Sequence, residues 1–272
     1  MPQDLSWGGQ PTAVIYSFLK ELVALQNQFR TSDVFFFFDS KASLRKQIYP
    51  EYKAKRHKTK LTEEELQFEI AFRNQIIKLR KEYLKEIGWN NVYLQSGFES
   101  DDLIAKMCSY IVRRNTEKDR NDRIIIISSD HDLYQLISAS VSMYNPKNKK
   151  EVTLQGFKKE FGILPLDWIK VKAIAGCSSD NVKGIQGVGE KTALKYLTGS
   201  LSNTSKVWQK IHSVEGKQII ERNLNLVCLP FKGTPTLHIK KNMPSIEGWH
   251  KIIKRLGFVS LKHENPFPWF KK

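Results

Sequence analysis

The chain has 272 residues, with 44 Lys and Arg against 28 Asp and Glu, a formal net charge of +16. That length can bury a core without disulfide or metal staples, and so basic a balance points to a polyanionic partner. Three scattered cysteines with no CxxC pair exclude a disulfide framework and suggest a reducing compartment. No apolar run of about 18 residues predicts a membrane span, and the N-terminus lacks an apolar signal core.

In chain order, the spacing of Val14, Phe18, Leu22 and Leu25 predicts a helix from Pro11 to Phe29, with Pro11 in its first turn. The run "DVFFFF" fits a buried parallel strand ending at Asp39. Lys41 to Lys60 then holds eight Lys/Arg and one Glu, interleaved with Tyr49, Tyr52 and His57. Such a segment suits backbone contact and base stacking on a nucleic acid, or forms a solvated charge run. The next helix opens with Thr62 three residues before Glu65, a capping-box pattern, and closes at Gly88. A strand "NVYLQS", a helix "ESDDLIAKMCSYIVRR", a strand "RIIIIS" and a short helical turn "SDHDLYQLI" follow. This alternation predicts an α/β layer with a parallel sheet flanked by helices. After Pro146 no strong strand run stands out, and a mostly helical second region is expected.

Ligands of an open parallel sheet bind beyond the carboxyl ends of its strands. Acids stand at three such places: Asp39, then Glu99, Asp101 and Asp102, then Asp130 and Asp132. First-turn acids can simply satisfy a helix N-terminus, and Asp favours turns. Together the carboxylates would repel one another without cations between them. An all-oxygen set without His or Cys suits Mg²⁺ or Mn²⁺ better than zinc. Two such ions can drive phosphodiester hydrolysis.

The stretch "GCSSDNVKGIQGVGEKTA" places Gly184, Gly187 and Gly189 before a helix that opens at Glu190. Glycines there permit positive φ and close backbone approach, and helix N–H groups can hold a phosphate. Lys183, Lys191 and Lys195 add charge. A helix–hairpin–helix gripping DNA backbone, with Thr192 in its second helix, is the preferred reading over a plain turn.

With these residues in hand, the chain resembles the 5′-nuclease family: flap endonucleases, bacteriophage 5′-to-3′ exonucleases and the 5′-nuclease domain of bacterial DNA polymerase I. Five stretches carry the resemblance in order: "QPTAVIYSFLKEL", "FFFDSKASLRKQIYPEYKAKR", "GFESDDLIA", "SSDHDLYQL" and "GCSSDNVKGIQGVGEKTA". The resemblance implies a PIN-like α/β nuclease core over residues 1–165, with a helical arch at about 41–88, and a helix–hairpin–helix DNA-binding region over 166–272. It implies divalent-ion ligands at Asp39, Glu99, Asp101, Asp102, Asp130, Asp132 and Asp180. Lys53 and Arg56 match cations that contact the scissile phosphate. Lys55, Lys183, Gly184, Gly187, Gly189, Lys191 and Thr192 are expected on DNA, with K⁺ at the glycine stretch.

The expected function is metal-dependent 5′-3′ exonuclease and flap endonuclease action on branched or 5′-ended DNA, by a monomer in the cytoplasm of a bacterial or phage-infected cell, with no membrane role. Two departures leave an alternative: a DNA-binding protein on the same fold with weak or no cleavage. The family's first acid-bearing strand is missing before Pro11, which fits a truncated reading frame or a natural variant. Cys177 stands where the family pattern "GDxSDN" has an aspartate. Each of two metal positions is therefore expected to lack one carboxylate.

Overall fold

Apolar residues recurring every three or four positions build the first helix, Ala13–Phe29, which buries Ile15, Leu19, Leu22 and Val23. The computed structural model describes residues 5–54 and 61–269. Two compact units emerge, each assembled from separated stretches. One comprises Met1–Phe38, Thr59–Tyr93 and His238–Lys272, and the other Asp39–Lys58 and Leu94–Leu237. These units follow packing, whereas the division at residue 165 follows motifs, and the two do not coincide.

In the first unit, Pro11 lies outside the helix. It pairs with Ser6 in a two-residue antiparallel ladder, and Thr12 caps the helix instead. Of "DVFFFF", only Phe36–Phe37 forms a regular strand, paired in parallel with Val92–Tyr93. The capping box is formed as the pattern predicts: Glu65 N–H donates to Thr62 Oγ1, and Thr62 N–H to Glu65 Oε2. The helix Glu63–Lys78 runs through a π-helical turn, Leu79–Tyr83, into Leu84–Ile87. It ends at Gly88, whose φ of 102° and contact with the Met243 carbonyl exclude a Cβ. The helix Ile246–Arg255 adds Trp249 and Ile252 to the same core. Phe267 is fully buried against Trp89 in that core.

In the second unit, the helix Ser100–Glu117 is followed by the strand Ile124–Ile127, paired in parallel with Val141–Asn145. That strand pairs antiparallel with Lys150–Val152. Sequence patterning missed both later strands. Val141–Asn145 mixes Ser and Asn with apolar residues although its first four positions are buried, and Lys150–Val152 is short and charged. Helices Leu154–Phe161, Trp168–Ala175, Glu190–Leu197, Lys206–His212 and Val214–Val227 complete the unit. Leu133, Met143, Phe157, Val171 and Ala193 lie in its core without exposure. The α/β reading holds, with its parallel pairing divided among short ladders in the described residues.

Within this unit the glycine stretch is a small hairpin. Gly176–Cys177 pairs antiparallel with Val182–Lys183, so a short strand does precede Gly184. Gly176, at φ 76°, and Gly184 approach so closely that a Cβ on either would strike backbone of the other. Gly189 then caps the helix Glu190–Leu197.

Candidate metal centre

The acidic helix Ser100–Glu117 begins at a point fixed from two sides. Asp39 Oδ1 accepts from the Ser100 N–H at 2.8 Å and the Ser100 hydroxyl at 2.7 Å. Asp102, with no exposure, accepts from both guanidinium ends of Arg45, at 2.6 and 2.7 Å. It also accepts from the N–H groups of Glu99 at 3.1 Å and Phe231 at 2.8 Å. Arg45 gives its Nε–H to the Leu226 carbonyl at 2.7 Å and lies over the Phe231 ring. Four donors thus use the two oxygens of Asp102, which makes it a structural anchor of the helix start. Adjacent helical residues point about 100° apart, and the bonds to Arg45 and Phe231 turn Asp102 to the buried side of the helix start.

Asp101 takes the other direction. Burial and then the nearby Asp130, Asp39, Asp132 and Glu99 push its carboxyl up to about 8. Four of the sequence-predicted acids therefore crowd a fifth. A small cavity of about 20 Å³, room for one water or ion, is lined by Tyr52, Glu99, Asp101, Asp132, Cys177 and Asp180 among others. Asp130 Oδ1 accepts the Asp132 N–H at 2.9 Å and orients the turn His131–Leu136.

Three residues that sequence reasoning left out of the site support it. The Tyr52 hydroxyl lies 3.0 Å from Glu99 Oε2 and 3.1 Å from Asp180 Oδ2. Lys172 Nζ pairs with Asp132 Oδ1 at 2.8 Å and Glu190 Oε1 at 2.9 Å. Burial opposes the charge of Lys172, but the two carboxylates outweigh it and hold the ammonium above its usual range. Arg45 is the third. The signal for Lys172 was its place on the stripe Trp168, Val171, Lys172, which is buried throughout. Tyr52 and Arg45 lay hidden in a basic run that suggests solvent.

Lys53 stands at the edge of the cluster, its Nζ 2.7 Å from Glu99 Oε2 and 3.8 Å from Asp180 Oδ1. Its backbone is left-handed, at φ 55°, and its N–H donates to the Asp180 carbonyl at 2.7 Å. Arg56 and Lys55 lie outside the described residues. Lys183 is exposed beside Glu51, and Lys191 and Thr192 lie in the first turn of the helix Glu190–Leu197. Among the described residues, Asp132, Cys177 and Asp180 each offer a donor atom within 4.8 Å of the other two. Burial pushes the Cys177 thiol up, and Ser179 Oγ lies 3.0 Å from its sulfur.

The family profile described as "5'-3' exonuclease, N-terminal resolvase-like domain" matches residues 3–162. The chain belongs to this family. Among its relatives, the 5′-3′ exonuclease of Aquifex aeolicus is 35% identical over 205 residues, covering 74% of this chain and 65% of that protein. The thermostable DNA polymerase I of Thermus thermophilus is 30% identical over 267 residues, which cover 94% of this chain. The chain spans only 30% of that polymerase's length. The fold is shared with the bacteriophage T5 flap endonuclease, solved as a pseudo-enzyme–product complex with DNA and metal ions. That match has a TM-score of 0.67 at 24% identity and covers 81% of this chain and 82% of the other. No helix among the described residues is long and apolar enough to cross a membrane.

Two outcomes test this geometry. Asp102→Ala leaves the Arg45 guanidinium buried without its partner and should cost about 3–5 kcal/mol in urea unfolding. Unchanged stability would contradict that anchoring role. The second concerns pH. An unfolded Asp loses its proton near pH 4, whereas folded Asp101 keeps its proton up to about 8. Between these values the folded state binds more protons, so stability should fall as pH rises from about 4 to 8. Thermal unfolding in a chelator should show that fall, and Asp101→Asn should flatten it.

Proposed function

We propose that the chain is a divalent-metal-dependent nuclease acting at 5′ ends and single-stranded flaps of DNA, with 5′-3′ exonuclease and flap endonuclease action. The observation that carries this reading is the convergence of carboxylates from around residues 100, 130 and 180 on one small cavity. Burial, and then the neighbouring carboxylates, raise the Asp101 carboxyl there to about 8. A cation relieves that crowding, and the chain as a whole, at a net +16, is suited to a polyanion. The names of the Aquifex exonuclease and the T5 flap endonuclease agree with this assignment.

Glu99, Asp101, Asp130 and Asp132 form an all-oxygen set that fits Mg²⁺ or Mn²⁺. Such an ion, when bound, supplies a nucleophilic water and offsets charge on the phosphoryl group. The protein's own groups do the positioning. Tyr52 bridges Glu99 and Asp180 and fixes their separation. Lys53, held by its strained backbone and its bond to the Asp180 carbonyl, is placed to leave Glu99 for the scissile phosphate and stabilise its developing charge. Arg56 is assigned the same task. Lys55 and the arch around 41–88 would receive the single strand.

Residues 1–165 are assigned the nuclease role and 166–272 the DNA grip. There Lys183, Gly184, Gly187, Gly189, Lys191 and Thr192 would hold duplex phosphate as a helix–hairpin–helix, with K⁺ at the hairpin. A monomer working in the cytoplasm in replication or repair completes the reading. One observation favours binding without efficient cleavage: Lys172 already occupies one oxygen of Asp132.

A labelled 5′-flap DNA with Mg²⁺ or Mn²⁺ tests the proposal. Product is expected with at least one ion, and Lys53→Ala should slow cleavage about 100-fold while changing DNA affinity far less. Retained binding with no product from either ion would favour the binding-only alternative.

A further inference from the structure

Lys53 has a backbone φ of 55°, a left-handed conformation that a lysine keeps only where its surroundings enforce it. A second left-handed residue, Asn181 at φ 58°, stands next to the acid whose carbonyl holds the Lys53 N–H. The two segments clasp each other with reciprocal bonds. The Lys53 N–H donates to the Asp180 carbonyl at 2.7 Å, and the Asn181 side-chain amide donates back to the Glu51 carbonyl at 2.8 Å. The Glu51 carbonyl also accepts the Ala54 N–H at 3.0 Å, which closes the turn carrying Tyr52 and Lys53. Asn181 is 8% exposed, so water competes little for its amide. Asparagine suits the position twice over, since it tolerates positive φ and its short side chain reaches nearby backbone.

One side of the clasp is fixed. Asn223, with no exposure, donates to the Ala173 and Lys183 carbonyls at 2.8 and 3.0 Å, tying the glycine hairpin to the helix Trp168–Ala175. Arg222 adds a second link, donating to the Lys183 carbonyl at 2.7 Å while it lies over the Tyr49 ring. The hairpin is thus the reference against which residues 51–53 are set.

We propose that Asn181 is a positioning residue for Lys53: through the Glu51 carbonyl, its amide sets the turn from which the Lys53 ammonium reaches Glu99 and Asp180. The proposal rests on the nuclease reading, in which Lys53 meets the scissile phosphate. The ammonium lies 2.7 Å from Glu99 Oε2 and 3.8 Å from Asp180 Oδ1. A flexible four-carbon stem does not fix that place by itself, so it depends on where the Lys53 backbone is anchored. Asn181 touches neither the DNA nor an ion in this scheme, and its effect passes through Lys53. It therefore acts on rate more than on binding, because a misplacement of about 1 Å costs on the order of 100-fold in rate while most phosphate contacts persist.

The test uses the full chain. Asn181→Gly keeps the left-handed backbone and deletes the amide, and Asn181→Asp keeps the size but has no N–H to give. Each should slow single-turnover cleavage of saturating 5′-flap DNA in Mg²⁺ at least about tenfold, with DNA affinity little changed. In a Lys53→Ala background the same substitutions should slow cleavage no further. A loss that adds to that of Lys53→Ala would show a role in general structure or at the ion instead, and would overturn the proposal. A second measurement needs no cleavage. Hydrogen exchange at the Lys53 amide, read by NMR, should quicken about fivefold or more in Asn181→Gly, while the amide of buried Leu103 exchanges as in wild type. Unchanged exchange at Lys53 would overturn the proposal as well. Full-rate cleavage by Asn181→Gly would remove Asn181 and leave the nuclease reading standing. Quickened exchange at Lys53 in a chain whose wild type cleaves with no ion would keep the clasp and remove the nuclease reading.

Discussion

Arg45 and Asp102 face each other at the start of the helix Ser100–Glu117, both out of water. Taking two charges from solvent is costly, and the pair is tolerable because its bonding groups are satisfied. Arg45 also reaches the Leu226 carbonyl, and Asp102 the N–H of Phe231. One ion pair therefore binds the basic segment, the acidic helix and the end of the helix Val214–Val227 into a single frame. Its consequence for function is directional. With Asp102 locked inward, Asp101 is turned toward Asp130, Asp132 and Asp39, and no cation among the described residues forms an ion pair with it.

The site then divides its negative charge unevenly. Glu99 has Lys53 beside it and Asp132 has Lys172. Asp101 has burial and like-charge neighbours instead, and both raise its proton affinity. A basic chain that concentrates acids at one small cavity spends stability there, since like charges are held together by the surrounding packing. Metal binding is the ordinary way to recover it. The thiol of Cys177 breaks the uniformity of the oxygen set.

Much of this was legible in the sequence. Acids after successive apolar runs marked the cavity, because strand ends are where ligands bind in α/β sheets. The Thr62 capping box was equally plain. Other parts were not. Asp101 and Asp102 are indistinguishable in "ESDD", and only the buried guanidinium of Arg45 separates ligand from anchor. Arg45 itself stands in a run that suggests solvent. Tyr52 looked like a stacking residue and instead bridges two carboxylates. Lys172 carries a charge on a buried stripe, which patterning treats as an exception. The strand Val141–Asn145 escaped because its polar residues broke the apolar run while its burial came from both faces. The division at residue 165 followed motifs, and packing joins residues far apart in the chain instead.

The central claim is that the Asp101 side of the cavity is a divalent-cation site. Crystals soaked in Mn²⁺, with anomalous diffraction recorded at the manganese edge, test it most directly. The account predicts a peak within bonding distance of the Asp101 carboxylate and shared with Asp130 or Asp132. An occupied Mn²⁺ elsewhere with none at Asp101, or a protonated Asp101 hydrogen-bonded to its neighbours under saturating Mn²⁺, would contradict it.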